Sequence, residues 1–466
     1  MTTGAGDAGE LLRRAGLAPD ACAAWLAAAP AASADFRRDT DAFGRFWRMG
    51  AALKDRLPPK PTRSTAEQAA AAVILSAGRA ARERFLGTHA GAVYRALTND
   101  RGAFVRVEDL VYGAARVVPG LTPTREEVAR EDGMQREKDG AEIDQGIFLA
   151  HILADPAAGA HLCHAMLLPR PESLERLAEF EARGALDLGV ATVTREGKAA
   201  IVTLRNPRFL NAEDEATLDL QETAIDLAIL DPNSDIAVLR GDVVEHPKYR
   251  GRRVFSAGIN LTHLYHGKIS YAWYIRRDLG LVNKLYRGLA RPDADPDELA
   301  GGTTEKPWIA AVDAFAIGGG CQLLLVMDYV LAASDAYMTL PARKEGIIPG
   351  AANLRLTRFT GGRIARQAIL YGRRLDCDSA EGRLICDETA PPEAMDAALR
   401  TVIENFTSSG VVSAAGNRRA LRVGEEPLDL FRRYMAVYAR EQAYCHFSPA
   451  LIANLEHHWN AAQRRA

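Results

Sequence analysis

The residues best suited to chemistry lie in two segments, Phe255-Ser-Ala-Gly-Ile-Asn-Leu261 and, roughly sixty positions on, Ala316-Ile-Gly-Gly-Gly-Cys-Gln322. Each reads as a strand end running into a Gly-rich turn and then a helix. Such a turn leaves backbone N–H groups unpaired, and two turns aiming two N–H groups at one oxygen make an oxyanion hole. The apolar run Cys321–Met327 predicts a helix start, whose positive end favours developing negative charge. Spacing alone leaves open whether the two turns meet.

The elements that must position these turns fall into two stretches. Up to residue 188, Ala-rich segments with apolar residues at helical spacing predict helices over Gly9–Ala32, Phe36–Arg56, Ser64–Gly87, Arg125–Arg136 and Glu172–Arg183, with loops near 58–63 and 115–124. Pro58-Pro59-Lys60-Pro61 interrupts them, because consecutive prolines cannot continue a helix. From Gly189 the character changes. Val190–Leu204 predicts two strands around a Glu196-Gly197 turn. Helix over Glu213–Leu230 and Tyr271–Leu289 then alternates with strand over Ile236–Arg240, Trp308–Asp313 and Tyr329–Ala333, and helices return from Gly361. This alternation predicts an α/β core with a mostly parallel sheet, preceded by an all-helical N-terminal domain: residues 1–188 and 189–466.

Composition narrows the function classes. A 466-residue chain with 25% charged residues and a net charge of −2 shows no basic excess that would point to nucleic acid or an anionic membrane. No apolar run reaches the length of a membrane span, and the first ten residues lack the basic and apolar regions of a signal peptide. The six cysteines are scattered with no C-x-x-C pair, which predicts a reduced, cytoplasmic protein. His161-Leu-Cys-His164, with His151 nearby, offers two histidines and a cysteine without a fourth ligand, so no metal site is predicted. Gly318-Gly-Gly320 lacks dinucleotide-fingerprint spacing.

Four motifs occur in order along the second stretch: Arg205-Asn-Pro-Arg-Phe-Leu-Asn-Ala212, Phe255–Leu261, Ile317–Gln322 and Glu345-Gly-Ile-Ile-Pro-Gly350. With them the chain resembles the crotonase (enoyl-CoA hydratase/isomerase) superfamily. The resemblance implies a spiral of ββα units, an acyl-CoA ligand, and a homo-oligomer, trimer or dimer of trimers. It also implies an oxyanion hole made by the N–H groups of Ile259 and Gly319, holding a thioester oxygen as it gains charge. Water-adding members carry a Glu after the Gly-Gly-Gly-Cys turn and another after the Pro that precedes the Ile-Pro-Gly loop. Here those positions hold Gln322 and Ala342, neither of which is a general base.

The long helical N-terminal region, Gln322, Ala342 and the segment Asn260–Arg277 narrow the resemblance to family members that oxygenate an arylacetyl-CoA without metal or organic cofactor. The implied reaction takes (3,5-dihydroxyphenyl)acetyl-CoA and O₂ to (3,5-dihydroxyphenyl)glyoxylate and free CoA. In that setting the Gln322 amide would bind a carbonyl or a peroxide. Glu213 would accept a ring-hydroxyl proton or act as the base, although acids also gather at helix starts for dipole reasons alone. Arg277 would grip a second hydroxyl, and Gly320 is assigned to substrate binding. Arg208, with Arg252 or Arg253, would meet the CoA phosphates, which suit the guanidinium fork. Two other readings stand beside this one: another acyl-CoA isomerase or thioester hydrolase, and a non-catalytic binding protein.

Overall fold

The computed structural model describes residues 5–300, 302–410 and 412–464. Helices fill the chain as far as Pro171–Arg183. The longest, Thr65–Leu97, has 33 residues, a length of about 50 Å. Its start is a capping box: Ser64 N–H donates to the Glu67 carboxylate at 2.7 Å and Glu67 N–H donates to the Ser64 hydroxyl at 3.3 Å. That satisfies two donors a helix start otherwise leaves open. Phe85 on this helix meets Phe43 and Trp47 edge to face, which pins it to the helix Phe36–Lys54.

Several predicted helices are divided where local chemistry demands it. Gly9–Ala32 is two helices, Ala5–Arg14 and Pro19–Ala27, because Gly16 has a φ of +76° and Pro19 opens the second. Arg125–Arg136 stops at Arg130 and resumes as a 3₁₀ turn beyond Asp132-Gly133. Val107–Val117, Ile143–Ala154 and Pro156–Leu167 are helices that the Ala-rich pattern did not mark. Ile143–Ala154 is nearly all buried, so it lacks the polar face on which a periodic signal depends.

The main sheet has seven strands in the spatial order Ala185–Asp187, Ala191–Glu196, Ala199–Leu204, Ile236–Gly241, Trp308–Val312, Tyr329–Ala333 and Glu388–Ala390. The first two pairings are antiparallel and the rest parallel. Ile236–Gly241 and Trp308–Val312 are buried along their whole length, as expected of parallel strands covered on both faces. The first strand lies before Gly189. The last falls in the stretch read as helical, as does the short strand Leu375–Asp376.

A second, smaller layer carries the chemistry. Phe315–Ile317 pairs in parallel with Tyr337–Thr339, and on its other side Ala316 bridges Ser256. Ile259 in turn bridges Glu213. Three distant segments are thereby stitched edge to edge. The helix Leu428–His446 closes this layer from outside. It packs along Ile143–Ala154, so closely that a Cβ on Gly146 would lie 2.4 Å from that of Ala443.

Candidate active site

Sequence predicted two turns, and the fold makes them touch. Gly258 has a φ of +76°, and a side chain there would place its Cβ 2.6 Å from the amide nitrogen of Gly319 and 2.5 Å from the Ile317 carbonyl oxygen. Gly318, at φ +52° and ψ −113°, takes a path that residues with a Cβ rarely follow. Among the described residues the N–H groups of Ile259 and Gly319 have no protein acceptor, and both residues line one cavity. Two unpaired donors on adjoining turns are the geometry an oxyanion requires. The helix behind them is Gly319–Leu324, starting two residues before the predicted run and ending before Met327. Six residues give it a small dipole, so the N–H groups themselves matter most.

Arg277 crosses the floor of the cavity. The predicted helix Tyr271–Leu289 is α-helical over Tyr271–Arg276, takes a π turn over Arg277–Val282 and closes as α over Asn283–Arg287. The wider turn lets both Arg277 and Asp278 reach the cavity. Arg277 Nε donates to Glu213 Oε1 at 2.9 Å, and Nη2 to Glu213 Oε2 at 2.8 Å and to the Gly319 carbonyl at 2.9 Å. Nη1 donates to Gln322 Oε1 at 2.9 Å. A guanidinium has five N–H donors, so one on Nη1 is left. Asp278 Oδ1 lies 3.7 Å from that Nη1 and has no hydrogen-bond partner among the described residues. Burial holds the Asp278 carboxyl above the ordinary range despite the Arg277 cation. The neighbouring Arg276 instead pairs with Asp219 and Glu215, so adjacent arginines serve different faces.

Glu213 sits differently from the prediction. It precedes the helix Glu215–Leu230 in extended backbone, donating its N–H to the Gly258 carbonyl at 2.7 Å and accepting from Asn260 N–H at 2.8 Å. Asp214 is the helix cap. The Glu213 carboxylate lies behind Gly319, both oxygens held by Arg277, and it is not among the cavity-lining residues. It is placed to hold Arg277 rather than to take a proton.

Further groups line the cavity beyond the sequence candidates. Among the described residues, Tyr274 and Trp273 bring a hydroxyl and an indole nitrogen with no hydrogen-bond partner. Glu345 brings a carboxyl that is 4% exposed, has neither hydrogen bond nor ion pair among the described residues, and is pushed up to about 7 by burial. Its oxygens would stand 3.7 and 3.8 Å from a Cβ on Gly318. Ala342, three residues before it on the helix Ala342–Glu345, also lines the cavity.

The remaining candidates are dispersed. Arg252 forms a bidentate ion pair with Asp335, at 2.5 and 2.6 Å, and donates to the Asp313 carbonyl. Arg253 is 3.5 Å from Asp242. Arg208 is exposed, with its guanidinium 5.0 Å from the Phe209 ring centre and no carboxylate partner among the described residues. Gly320 packs on Ser256, whose carbonyl oxygen would lie 2.7 Å from a Cβ there, and so supports the turn instead of lining the cavity. His161 bonds Tyr94 and the Arg101 carbonyl, His164 the Arg291 carbonyl, and His151 Glu83.

The sequence profile of the enoyl-CoA hydratase/isomerase family matches residues 194–426, half of the chain. The chain belongs to that family. Over 393 residues it is 48% identical to the (3,5-dihydroxyphenyl)acetyl-CoA 1,2-dioxygenase of Amycolatopsis orientalis, a match covering 84% of this chain and 89% of that protein. It is 27% identical over 241 residues to the short-chain-enoyl-CoA hydratase of Clostridium acetobutylicum, covering 51% of this chain and 83% of that one. An enoyl-CoA hydratase of known structure from Mycobacterium avium subsp. paratuberculosis K-10 superposes with a TM-score of 0.48 at 21% identity, covering 58% of this chain and 98% of that chain.

Proposed function

We propose that this chain is a dioxygenase that converts (3,5-dihydroxyphenyl)acetyl-CoA and O₂ to (3,5-dihydroxyphenyl)glyoxylate and free CoA, without metal or organic cofactor. The observation that carries the reading is a cavity that keeps both oxyanion donors while Gln322 and Ala342 occupy the positions of the water-activating carboxylates. It has the means to hold an enolate and lacks the usual means to add water to one. The extent of the dioxygenase match supports it. Eighty-four per cent of the chain is more than residues 189–466 supply, so that likeness takes in much of the helical N-terminal stretch.

In this reading the thioester oxygen sits between the N–H groups of Ile259 and Gly319. The open Nη1 donor of Arg277 and the bare Oδ1 of Asp278 take one ring hydroxyl, which accepts from the first and donates to the second. Gln322 keeps its amide nitrogen for the carbonyl or the peroxide, since only its Oε1 is engaged by Arg277. The benzylic C–H next to the thioester is acidic, because ring and carbonyl share the charge. The enolate passes one electron to O₂, and recombination places a peroxide on the α-carbon. That peroxide attacks the thioester carbonyl and expels CoA. Loss of the second α-proton as the O–O bond breaks leaves the keto acid, and no water is consumed. Residues 189–466 bind the acyl-CoA, and the helices of residues 1–188 help to keep the enolate dry. Arg208 and Arg253 are left for the CoA phosphates, and assembly follows the family as a trimer or dimer of trimers.

The test is oxygen uptake by metal-stripped protein given (3,5-dihydroxyphenyl)acetyl-CoA, with thiol release followed in parallel. One O₂ per CoA, unaffected by chelators, is the expected result. CoA release without O₂ uptake would make the protein a thioester hydrolase.

A further inference from the structure

Abstraction of the α-proton needs a base, and the family's two carboxylate positions do not supply one here. We propose that Glu345 is that base, taking the α-proton of the thioester held between Ile259 and Gly319. The inference rests on the dioxygenase reading and assigns its first step.

Position is the main argument. The α-carbon is bonded to the carbonyl carbon, so its base must stand beside the oxyanion turns. Both Glu345 oxygens face Gly318, the residue whose turn presents the Gly319 N–H. Ala342 and Glu345 are three apart on one short helix and line the same cavity. Residues at that spacing share a helix face, so a carboxylate stands one turn along from the position where water-adding relatives carry theirs. The other nearby carboxylates fit less well. Glu213 is held on both oxygens by Arg277 behind Gly319. Asp278 lies with Gln322 at Gly350, where a Cβ would come within 2.8 Å of it, and has the Arg277 cation at 3.7 Å.

The state of the Glu345 carboxyl agrees. It has no partner to satisfy its charge, and burial pushes it up to about 7, where a general base is most effective near neutral pH. The charged and titratable groups around it include Tyr274, Arg277, Asp278 and Tyr438 in the cavity, Arg343 and Lys344 on its own helix, and, on the two elements packed against that helix, Glu456, His457 and His458 of Pro449–Trp459 and Tyr371 of the turn Gln367–Tyr371. In the step itself the Cα–H bond breaks, its electron pair forms the Cα=C bond of the enolate while the carbonyl π pair moves onto the thioester oxygen, and the proton goes to a Glu345 oxygen. Negative charge thus passes from the carboxylate to the oxyanion hole. Both α-protons leave the same carbon during turnover. Once the first has left on the departing CoA thiol, the same carboxylate is placed for the second.

The experiment is a single turnover in air with (3,5-dihydroxyphenyl)acetyl-CoA and its α,α-dideuterated form, comparing the full-length protein with Glu345→Gln and Glu345→Asp. Glu345→Gln is expected to slow O₂ uptake about 100-fold or more, to expose a primary isotope effect, and to lose the limb of the pH profile near 7, with thioester affinity changed no more than a few-fold. Glu345→Asp, with its carboxylate drawn back, recovers part of the rate. Unchanged uptake in Glu345→Gln, or slowing with no isotope effect and parallel loss of thioester binding, overturns the proposal. So does loss of the pH limb in Asp278→Asn with its retention in Glu345→Gln. If the unaltered protein releases CoA without O₂, the dioxygenase reading falls first, and an isotope effect on thiol release still reports whether Glu345 removes the proton.

Discussion

Two stretches of chain, Glu213–Leu230 and Tyr271–Arg287, build two buried charge clusters that behave oppositely. In one, Lys284 Nζ lies 2.7 Å from Glu222 Oε1 and donates to both oxygens of Asp226 at 2.7 and 2.9 Å. Arg106 reaches Glu222 at 2.6 Å, and Arg170 N–H and the Ser173 hydroxyl reach Asp226. These partners come from the N-terminal helices, so the cluster fastens them to the sheet region. In the other, Glu213 and Arg277 pair, but among the described residues Asp278 Oδ1, the Tyr274 hydroxyl and the Glu345 carboxyl have no partner. Unpaired buried polar groups cost stability. A fold that pairs the charges of one cluster and leaves Asp278 Oδ1 of its neighbour open holds the second ready for a ligand.

Breaking the closed cluster should have the largest effect. Lys284→Met leaves two carboxylates buried without their ammonium and is expected to cost about 3–5 kcal/mol in denaturant unfolding, whereas Asp278→Asn should change stability by less than about 1 kcal/mol while reducing oxygen uptake. The next effect lies in the pH dependence of stability. Glu345 is held at about 7 in the fold against an ordinary 4.5. Between those values the folded chain keeps a proton that the unfolded chain has released, so stability falls as pH rises across that window, by on the order of 3 kcal/mol. Glu142 is also pushed up to about 7 by burial, so the informative quantity is the difference between the unaltered protein and Glu345→Gln. The variant should be the more stable at pH 8, with the gap closing toward pH 4.5. Third, Arg277→Lys keeps a charge but loses the fork that spans Glu213, Gln322 and the Gly319 carbonyl. Oxygen uptake is expected to fall about 100-fold, as for loss of one positioned donor. Smallest is Gln322→Glu, which sets a carboxylate beside Asp278 at Gly350. About a tenfold loss of uptake is expected, and an unchanged rate would remove the Gln322 amide from the chemistry.

Much of this was legible in the sequence, and the misses have physical causes. The two turns could be read because glycine is needed where a Cβ on Gly258 would come within 2.6 Å of the Gly319 nitrogen, and that need is written in residue type. The structure brings Gln322 and Arg277 beside them. Asp278 was missed because the π turn at Arg277–Val282 shifts the helical phase, which periodicity cannot anticipate. Glu345 was read as part of a loop motif, since its isolation depends on what fails to approach it in space. Arg252, offered with Arg253 for the CoA phosphates, is paired with Asp335, a partner too distant in sequence to be read from it.

The cavity takes one wall from late in the chain. Tyr438 lines it, Gln442 accepts from Ile348 N–H at 2.8 Å, and the Tyr434 hydroxyl donates to the Gly350 carbonyl, all from the helix Leu428–His446. The oxyanion turns leave the ribosome well before that helix does, an interval of seconds at roughly 5–20 residues per second. Until it arrives the cavity lacks that wall, so the site is completed only when the helix Leu428–His446 packs along Ile143–Ala154.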